Sequence, residues 1–194
     1  MFSVHTDDRD VAVRIERSRR RSIVLSVNSK AEVILKLPYR TTNDEINRIL
    51  SERRNWIRSH VERILSARAE ADTLTPLGRE ELETLREQAR QYIPSRVAMY
   101  AETLGVHYGR ITIRHQRTRW GSCSAKGNLN FNCLLMLTPP EVIDYVIVHE
   151  LCHRKEMNHS VRFWALVASI LPHYEEQKRW LREHGGVLIG RLEA

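Results

Sequence analysis

The feature that most constrains the fold is the segment VIVHELCHRKEMNHS, residues 146–160. It continues an apolar run and holds three histidines, His149, His153 and His159, together with Glu150. His149 and His153 are four residues apart, so on an α-helix they lie about 40° apart around the axis and about 6 Å apart along it. Two imidazoles placed in this way can bind the same metal ion. The spacing therefore predicts a helix that carries part of a metal site.

A third histidine ligand requires the chain to turn back soon after His153. On a continuous helix, His159 would lie about 15 Å along the axis from His149, which is too far for a shared ion. Asn158 tolerates the left-handed conformation that such a turn can use, and Ser160 is a good N-cap for a new helix. The sequence therefore predicts a break in this region and one zinc ion, or another divalent ion, held by the three histidines.

Glu150 is predicted to be a general base. It lies beside His149 on the adjacent face of the helix, where it cannot easily reach the ion but can reach a water bound to it, which is the arrangement of HExxH hydrolases. The spacing His-x3-His-x5-His also matches the metzincin ligand pattern, although Glu156 replaces the usual glycine. Glu175 or Glu176 on the following helix is the alternative third ligand, as in zinc enzymes that use a distant glutamate.

A helix that is merely rich in surface histidines is the competing interpretation of the same segment. The preceding residues VIDYVIV, 142–148, are apolar on all sides, which is typical of a buried helix. Ionisable side chains such as His149 and Glu150 at the end of a buried helix need a functional reason. The pattern therefore favours the metal site.

Periodicity in the rest of the chain indicates an α+β fold. Alternating apolar and polar residues predict strands at 11–15, 23–27, 33–37, 111–115 and 129–137. The second and third of these strands are separated by a short polar segment and should form a hairpin. An extended substrate peptide is expected to add to the strand at 129–137.

Helical periodicity alternates with these strands. It predicts helices at about 43–69, 82–104, 139–153 and 160–171, and a short last helix before Gly185. Thr42 with Glu45, and Thr138 with Glu141, have the spacing of a capping box. Pro94 should kink or split the second helix, and Gly105 can end it.

The charge of the chain indicates anionic partners. The net charge is +7, 26 of the 31 basic residues are arginine, and six arginines fall between positions 9 and 21. Such a surface favours nucleic acid, nucleotides, phosphorylated molecules or acidic peptides. A solvated basic face without a partner is the alternative interpretation, because arginine is scattered along the whole chain.

Several other classes of protein are disfavoured by the sequence. No apolar run approaches the roughly 20 residues of a membrane-spanning helix, and the N-terminus lacks a basic-then-apolar signal peptide. The three cysteines are widely spaced and form no CxxC pair, so neither a disulfide framework nor a zinc knuckle is expected. We therefore expect a cytoplasmic protein without a membrane partner.

Four segments of the chain carry a family resemblance. They are RWGSCS at 119–124, FNCLLMLTPPEVIDYVIVHELCH at 131–153, NHSVRFW at 158–164, and P-x-Y followed by WLREHG at 172–185. In these segments the chain resembles the YgjP-like metallopeptidase family, whose relatives include the SprT-type and WLM zinc proteases. The resemblance implies a zincin-like domain in which His149, His153 and His159 bind zinc and Glu150 is the catalytic base.

The resemblance also implies a division of the chain. We expect a basic N-terminal module of strands and a helix at 1–70, and a zincin-like metal-binding catalytic domain at 71–194. In the RWGSCS loop, Arg119 or Ser122 is expected to contact substrate. The competing interpretation is a structural turn in which Trp120 packs and Gly121 permits a bend.

The function expected from these observations is zinc-dependent hydrolysis of peptide bonds, with a peptide or protein as substrate. A metal-dependent nucleotide pyrophosphatase or phosphohydrolase is one alternative, because the same ion and water could attack a phosphoanhydride while arginines hold the phosphates. The other alternative is a basic adaptor that binds nucleic acid without catalysis.

Overall fold

A computed structural model describes residues 2–5, 10–28 and 30–192. The chain divides into two compact units, an N-terminal unit of residues 1–70 and a C-terminal unit of residues 71–194. Both units contain helices and a small sheet, which confirms the predicted α+β class. The description of residues 1–70 as a basic module and of residues 71–194 as the catalytic domain stays a prediction.

The N-terminal unit is built on a four-stranded sheet. Its strands are β1 (Phe2–His5), β2 (Asp10–Ser18), β3 (Val24–Val27) and β4 (Val33–Pro38), in the order β1-β2-β4-β3. β3 and β4 pair in antiparallel register, which confirms the predicted hairpin, whereas β2 runs parallel to β4. β1 was not predicted from the sequence.

Two helices cover this sheet, α1 (Asn43–Glu52) and α2 (Arg54–Asp72). The capping box of Thr42 and Glu45 is confirmed, since both of its hydrogen bonds form. The prediction of one continuous helix is wrong, because α1 ends at Arg53, whose φ of −101° and ψ of 8° interrupt the helix. Ile46 on α1 and Ile57 on α2 belong to the same apolar core.

The C-terminal unit begins with the long helix α3 (Arg79–Leu104). Gly105 ends it in the left-handed conformation, with φ at 61° and ψ at 46°, as predicted. Pro94 lies inside the helix and does not split it. Ile93 and Val97 on either side of the proline are buried, so packing holds the helix together across the lost backbone donor.

A three-stranded sheet follows, with β5 (Ile111–Arg114), β6 (Gly121–Cys123) and β7 (Leu129–Asn132) in the order β5-β7-β6. The strand predicted at 129–137 is too long, because a 3₁₀ helix (Cys133–Leu137) starts where the Asn132 side chain accepts the N–H of Leu134. β7 is the central strand and is paired on both edges. A substrate peptide therefore cannot add to it, and that expectation is wrong.

Three helices complete the unit, α4 (Pro140–Cys152), α5 (Val161–Ile170) and α6 (Tyr174–Gly190). The predicted cap by Thr138 is wrong, because its hydroxyl donates to the Leu135 carbonyl and Pro139 is the N-cap of α4. α6 is longer than predicted and continues through Gly185. This glycine permits a close contact, since a Cβ there would lie 3.1 Å from the Trp120 ring.

The core of the C-terminal unit surrounds α4. Every residue of this helix from Val142 to Cys152 is buried except His149, which is half-buried. All three cysteines of the chain are free thiols, as predicted. In the part of the chain that the model describes, no helix combines the length and the apolar character that a bilayer crossing requires.

Candidate metal centre

The candidate site lies at the end of α4, and an ion pair ties this helix to α3. Asp144 is only 9% exposed, in the middle of the apolar run. The guanidinium of Arg96 donates to both of its carboxylate oxygens, through Nε at 2.8 Å and through Nη2. This bond is the main reason that the pKa of Arg96 lies above its usual range. The sequence signal for the contact was the lone carboxylate in VIDYVIV, which sequence reasoning did not use.

The chain turns back directly after α4. Cys152 is the last helical residue and His153 is the cap, and the N–H of Glu156 then donates to the Cys152 carbonyl at 3.0 Å. The predicted left-handed Asn158 is wrong: Ala31 is the one non-glycine residue with positive φ among those described. The predicted break and the cap by Ser160 are confirmed, since its hydroxyl accepts the Phe163 N–H at 3.3 Å.

The turn brings three imidazoles together. One nitrogen from each of His149, His153 and His159 lies within 4.8 Å of the other two. The Nε2 atoms of His149 and His159 are 3.0 Å apart. His149 and His153 are half-buried and His159 is exposed, so the group opens toward solvent on the side of the turn.

The surroundings of His149 and His153 favour the neutral form of their rings, which is the form that binds a cation. The Nδ1 atom of His153 lies 3.2 Å from the carbonyl of Glu156, which requires the proton on Nδ1 and leaves the lone pair of Nε2 available to bind a metal ion. Burial, reinforced by the positive forms of the other two histidines, lowers the pKa of His149 to about 3. Burial also lowers the pKa of His153. Neutral imidazoles are the form that binds a divalent metal ion.

Aromatic side chains from α5 pack around the three imidazoles. The ring of Phe163 is fully buried and its centroid lies 4.7 to 4.9 Å from those of all three histidines. The ring of Trp164 stacks on His159 at 5.6 Å and on Tyr174 at 5.4 Å. Aromatic rings of α5 therefore pack directly against the histidine cluster. The buried Nδ1 of His149 has no hydrogen-bond partner within the described chain.

Glu150 lies on α4 beside the histidines and is 6% exposed. Its carboxylate packs against Gly121 on β6, where an added Cβ would lie only 2.7 Å from Oε1. Burial raises the pKa of Glu150 to about 8, and the opposing influences are the charge of Arg119 and the backbone N–H of Cys123. Gly121 and the Cys123 N–H of the RWGSCS segment therefore fix the position of this carboxylate, and we call this contact surface the Gly121 seat.

Asn132 holds this segment in place, and sequence reasoning missed it. Its side chain is fully buried and donates to the carbonyls of Gln116 at 2.7 Å and Arg119 at 3.1 Å. Its backbone N–H donates to Trp120. The available signal was a polar residue inside the apolar strand LNFN.

The remaining predicted residues lie near the site in different settings. Arg119 has an exposed side chain, and the hydroxyl of Ser122 accepts from Asn130 at 3.2 Å. Their contact with substrate stays a prediction. Glu175 accepts from Lys178 at 3.2 Å and is exposed, as is Glu176. Neither glutamate belongs to the histidine group that the described residues form.

Comparison with known proteins places this chain in a family. A model of the YgjP-like metallopeptidase domain matches residues 78–184, a range that includes every residue of the histidine cluster. The chain belongs to the YgjP-like metallopeptidase family. This membership confirms the resemblance found in the sequence.

Solved structures also resemble this YgjP-like chain. The crystal structure of the metallopeptidase zymogen of Pyrococcus abyssi abylysin is 23% identical, with a TM-score of 0.43, over 46% of this chain and 91% of that one. The zymogen of Methanocaldococcus jannaschii jannalysin is 22% identical, with a TM-score of 0.42, over 46% of this chain and 92% of that one. No protein of curated function matches the sequence significantly.

Proposed function

We propose that this YgjP-like protein is a zinc metallopeptidase in which His149, His153 and His159 hold one zinc ion and Glu150 is the general base. The observation that carries the proposal is the convergence of three imidazoles within 4.8 Å, next to the buried carboxylate of Glu150 on the helix that carries His149. The family match supports the coarser statement that the protein is a metal-dependent peptidase.

The three histidines are suited to hold the ion for different reasons. His149 is fixed by the buried helix and kept neutral by burial. His153 is oriented by the Glu156 carbonyl, and His159 is held by stacking on Trp164. A zinc ion bound there would lower the pKa of its water toward about 7 and polarise the carbonyl of the scissile bond.

The carboxylate of Glu150 moves the proton. It accepts a proton from the attacking water as the water oxygen bonds to the carbonyl carbon, and it passes this proton to the amine nitrogen as the C–N bond breaks. A general base works best when its pKa lies near the working pH, and burial raises the pKa of Glu150 in that direction. Gly121 and the Cys123 N–H keep the carboxylate from turning away.

The substrate is proposed to be a peptide or protein that contacts the RWGSCS segment. β6 lies at an edge of its sheet, unlike β7, and it carries Ser122 next to the seat of Glu150. Arg119 is exposed just before this strand and can hold a carbonyl or carboxylate of the substrate. These roles for Arg119 and Ser122 rest on their position beside Glu150.

The substitution Glu150→Gln tests the assignment of the base. The variant should keep its metal and lose peptide hydrolysis by a factor of about 100 to 10,000, because the amide cannot accept the proton. The assay is cleavage of a quenched peptide library, with a chelator-treated sample beside it. Glu141→Gln, in the exposed first turn of the same helix, is the matched control and should stay near the wild-type rate.

Normal turnover by Glu150→Gln would contradict the assignment of the base. The phosphohydrolase alternative is tested by adding nucleoside triphosphates to the same screen, and the adaptor alternative by nucleic-acid binding after metal removal. Both alternatives stay predictions, as does the cytoplasmic location.

A further inference from the structure

β5 (Ile111–Arg114) is an edge strand of the C-terminal sheet, and one of its sides is open. The carbonyl of Arg110 accepts the N–H of Leu129 at 2.9 Å, so residue 110 faces β7. Backbone groups alternate in direction along a strand, so Ile111 and Ile113 turn their N–H and C=O groups to the opposite side. β5 is the last strand in the order β5-β7-β6, and these groups therefore lie at the free edge.

A groove of about 520 Å³ runs along this edge. Its lining residues are Arg90 and Pro94 of α3 together with Arg110, Ile111, Thr112, Ile113 and Arg114. Ile111 and Ile113 point toward the apolar core, so Arg110 and Arg114 share the opposite face of the strand. Guanidinium groups therefore flank the groove from the strand and from the helix.

None of the described residues that line this groove is acidic. Arg90 lies 3.5 Å from Glu87 in a pair whose two side chains are more than half exposed, which is a weak interaction in water. Within the described ranges, the guanidinium groups of Arg110 and Arg114 have no carboxylate at ion-pair distance, and both residues are exposed. The lining residues of the groove therefore carry a net positive charge, of which only that of Arg90 has a carboxylate nearby among the described residues.

We propose that the groove along β5 binds an extended acidic peptide segment, which adds to the sheet as the next strand. The free N–H and C=O groups of the edge match a peptide backbone, and strand addition is a recurring mode of peptide recognition. Acidic side chains at alternate positions of the segment pair with Arg110 and Arg114, whose forked guanidinium groups suit carboxylates.

A peptide fits this groove better than a nucleic acid. Single-stranded nucleic acids are bound by basic grooves that also offer aromatic side chains for base stacking, and none of the described lining residues of this groove is aromatic. A phosphodiester backbone also cannot make the alternating donor and acceptor bonds that the free edge offers. The open strand edge and the arginines together favour an acidic peptide.

The test is a binding titration with full-length protein carrying Glu150→Gln, so that the probe is not cleaved. The probe is a fluorescein-labelled octapeptide of alternating glutamate and valine, followed by anisotropy at low ionic strength. Arg110→Glu with Arg114→Glu should weaken binding at least about tenfold. Arg19→Glu with Arg21→Glu makes the same charge change at exposed positions of the N-terminal unit and should weaken it less than about twofold.

Two further probes separate the contributions. The same peptide with N-methyl groups at alternate residues keeps its charge but loses backbone donors on one edge, and it should bind at least about fivefold more weakly. An octathymidine competitor should displace the peptide poorly. The affinity should be the same with and without metal, so that loss of the proposed peptidase activity and loss of docking are read independently.

Three results would overturn the proposal. Binding by the Arg110/Arg114 variant within about twofold of the parent would place the peptide elsewhere. Equal binding of the N-methylated probe would reduce the interaction to charge attraction without strand addition. Competition by octathymidine at peptide-like concentrations, lost in the same variant, would make the occupant a nucleic acid.

Discussion

The two sides of the histidine cluster are held in different ways. The helix side, His149 and Glu150, lies at the end of a helix that is buried almost throughout. The turn side, His153 and His159, lies on the chain connection that follows and is more exposed. The helix side is fixed by core packing and an ion pair, and the turn side by one carbonyl contact and aromatic stacking.

This difference separates the expected effects of substitution. The buried carboxylate of Glu150, which we propose moves the proton, must be held rigidly, because a displacement of about 1 Å can reduce a rate a hundredfold. A ligand on a turn can adjust to the ion, so its supports affect metal affinity first. Changes near the helix side should therefore alter stability or rate, and changes near the turn side should alter metal binding.

The largest effect is expected when the helix side loses its ion pair. Asp144→Ala leaves the Arg96 guanidinium without its partner and should lower the free energy of unfolding by about 3 kcal/mol, at the low end for broken buried pairs because Arg96 is partly exposed. Denaturant titration measures this. Glu183→Ala breaks an exposed pair at 3.8 Å and should change it by less than about 0.5 kcal/mol. Equal effects of the two changes would show that the Arg96–Asp144 pair does not fix the helix side.

The seat of the carboxylate is the next test of the helix side. Gly121→Ala places a Cβ 2.7 Å from Oε1 of Glu150, so the carboxylate must move. Peptidase activity should fall by about a hundredfold while metal content stays unchanged. Gly78→Ala, where the added Cβ lies 3.7 Å from the nearest atom, is the control. A Gly121→Ala enzyme within twofold of wild type would show that the seat does not position the base.

The aromatic support of the turn side should act on metal affinity. Trp164→Ala removes the ring that stacks on His159 and should weaken metal binding by about tenfold, as measured by competition with a chromogenic chelator. Trp164→Phe should recover most of the affinity. Trp180→Ala removes a similar stack on His184, outside the cluster, and serves as control. Unchanged affinity in Trp164→Ala would mean that stacking does not hold His159.

The smallest effect is expected at the cap that ends the turn. Ser160→Ala removes the side-chain acceptor for the Phe163 N–H and should lower the free energy of unfolding by about 1 kcal/mol. Ser169→Ala, whose hydroxyl donates to a carbonyl within the same helix, should have a smaller effect. The order would contradict the account if the Ser169 variant were the less stable of the two.

The sequence predicted the parts of the site that local spacing determines. The helix that carries His149, the break after His153 and the cap by Ser160 all follow from residues close together in the chain. The expectation of a left-handed Asn158 was wrong, because hydrogen bonds donated by the backbone N–H groups of Arg154 and Glu156 form the turn without a positive φ.

Contacts between residues far apart in the chain could not be predicted from local spacing. The Gly121 seat joins residues 29 positions apart, and the Arg96–Asp144 pair joins residues 48 positions apart. The strand predicted at 129–137 changes to a 3₁₀ helix because the side chain of Asn132 caps it, although the apolar pattern continues. The periodicity of apolar residues indicates which side chains are buried, but it does not indicate which polar groups they contact.

Metal analysis of purified protein is the most direct test of the central claim, that three histidines hold one ion. The wild type is compared with His159→Ala and with the Glu175→Ala/Glu176→Ala double variant, each dialysed against the same zinc buffer. We expect one zinc per chain in the wild type and in the glutamate double variant, and a clear loss of zinc in His159→Ala. Full zinc retention by His159→Ala, with loss in the glutamate variant, would contradict this claim.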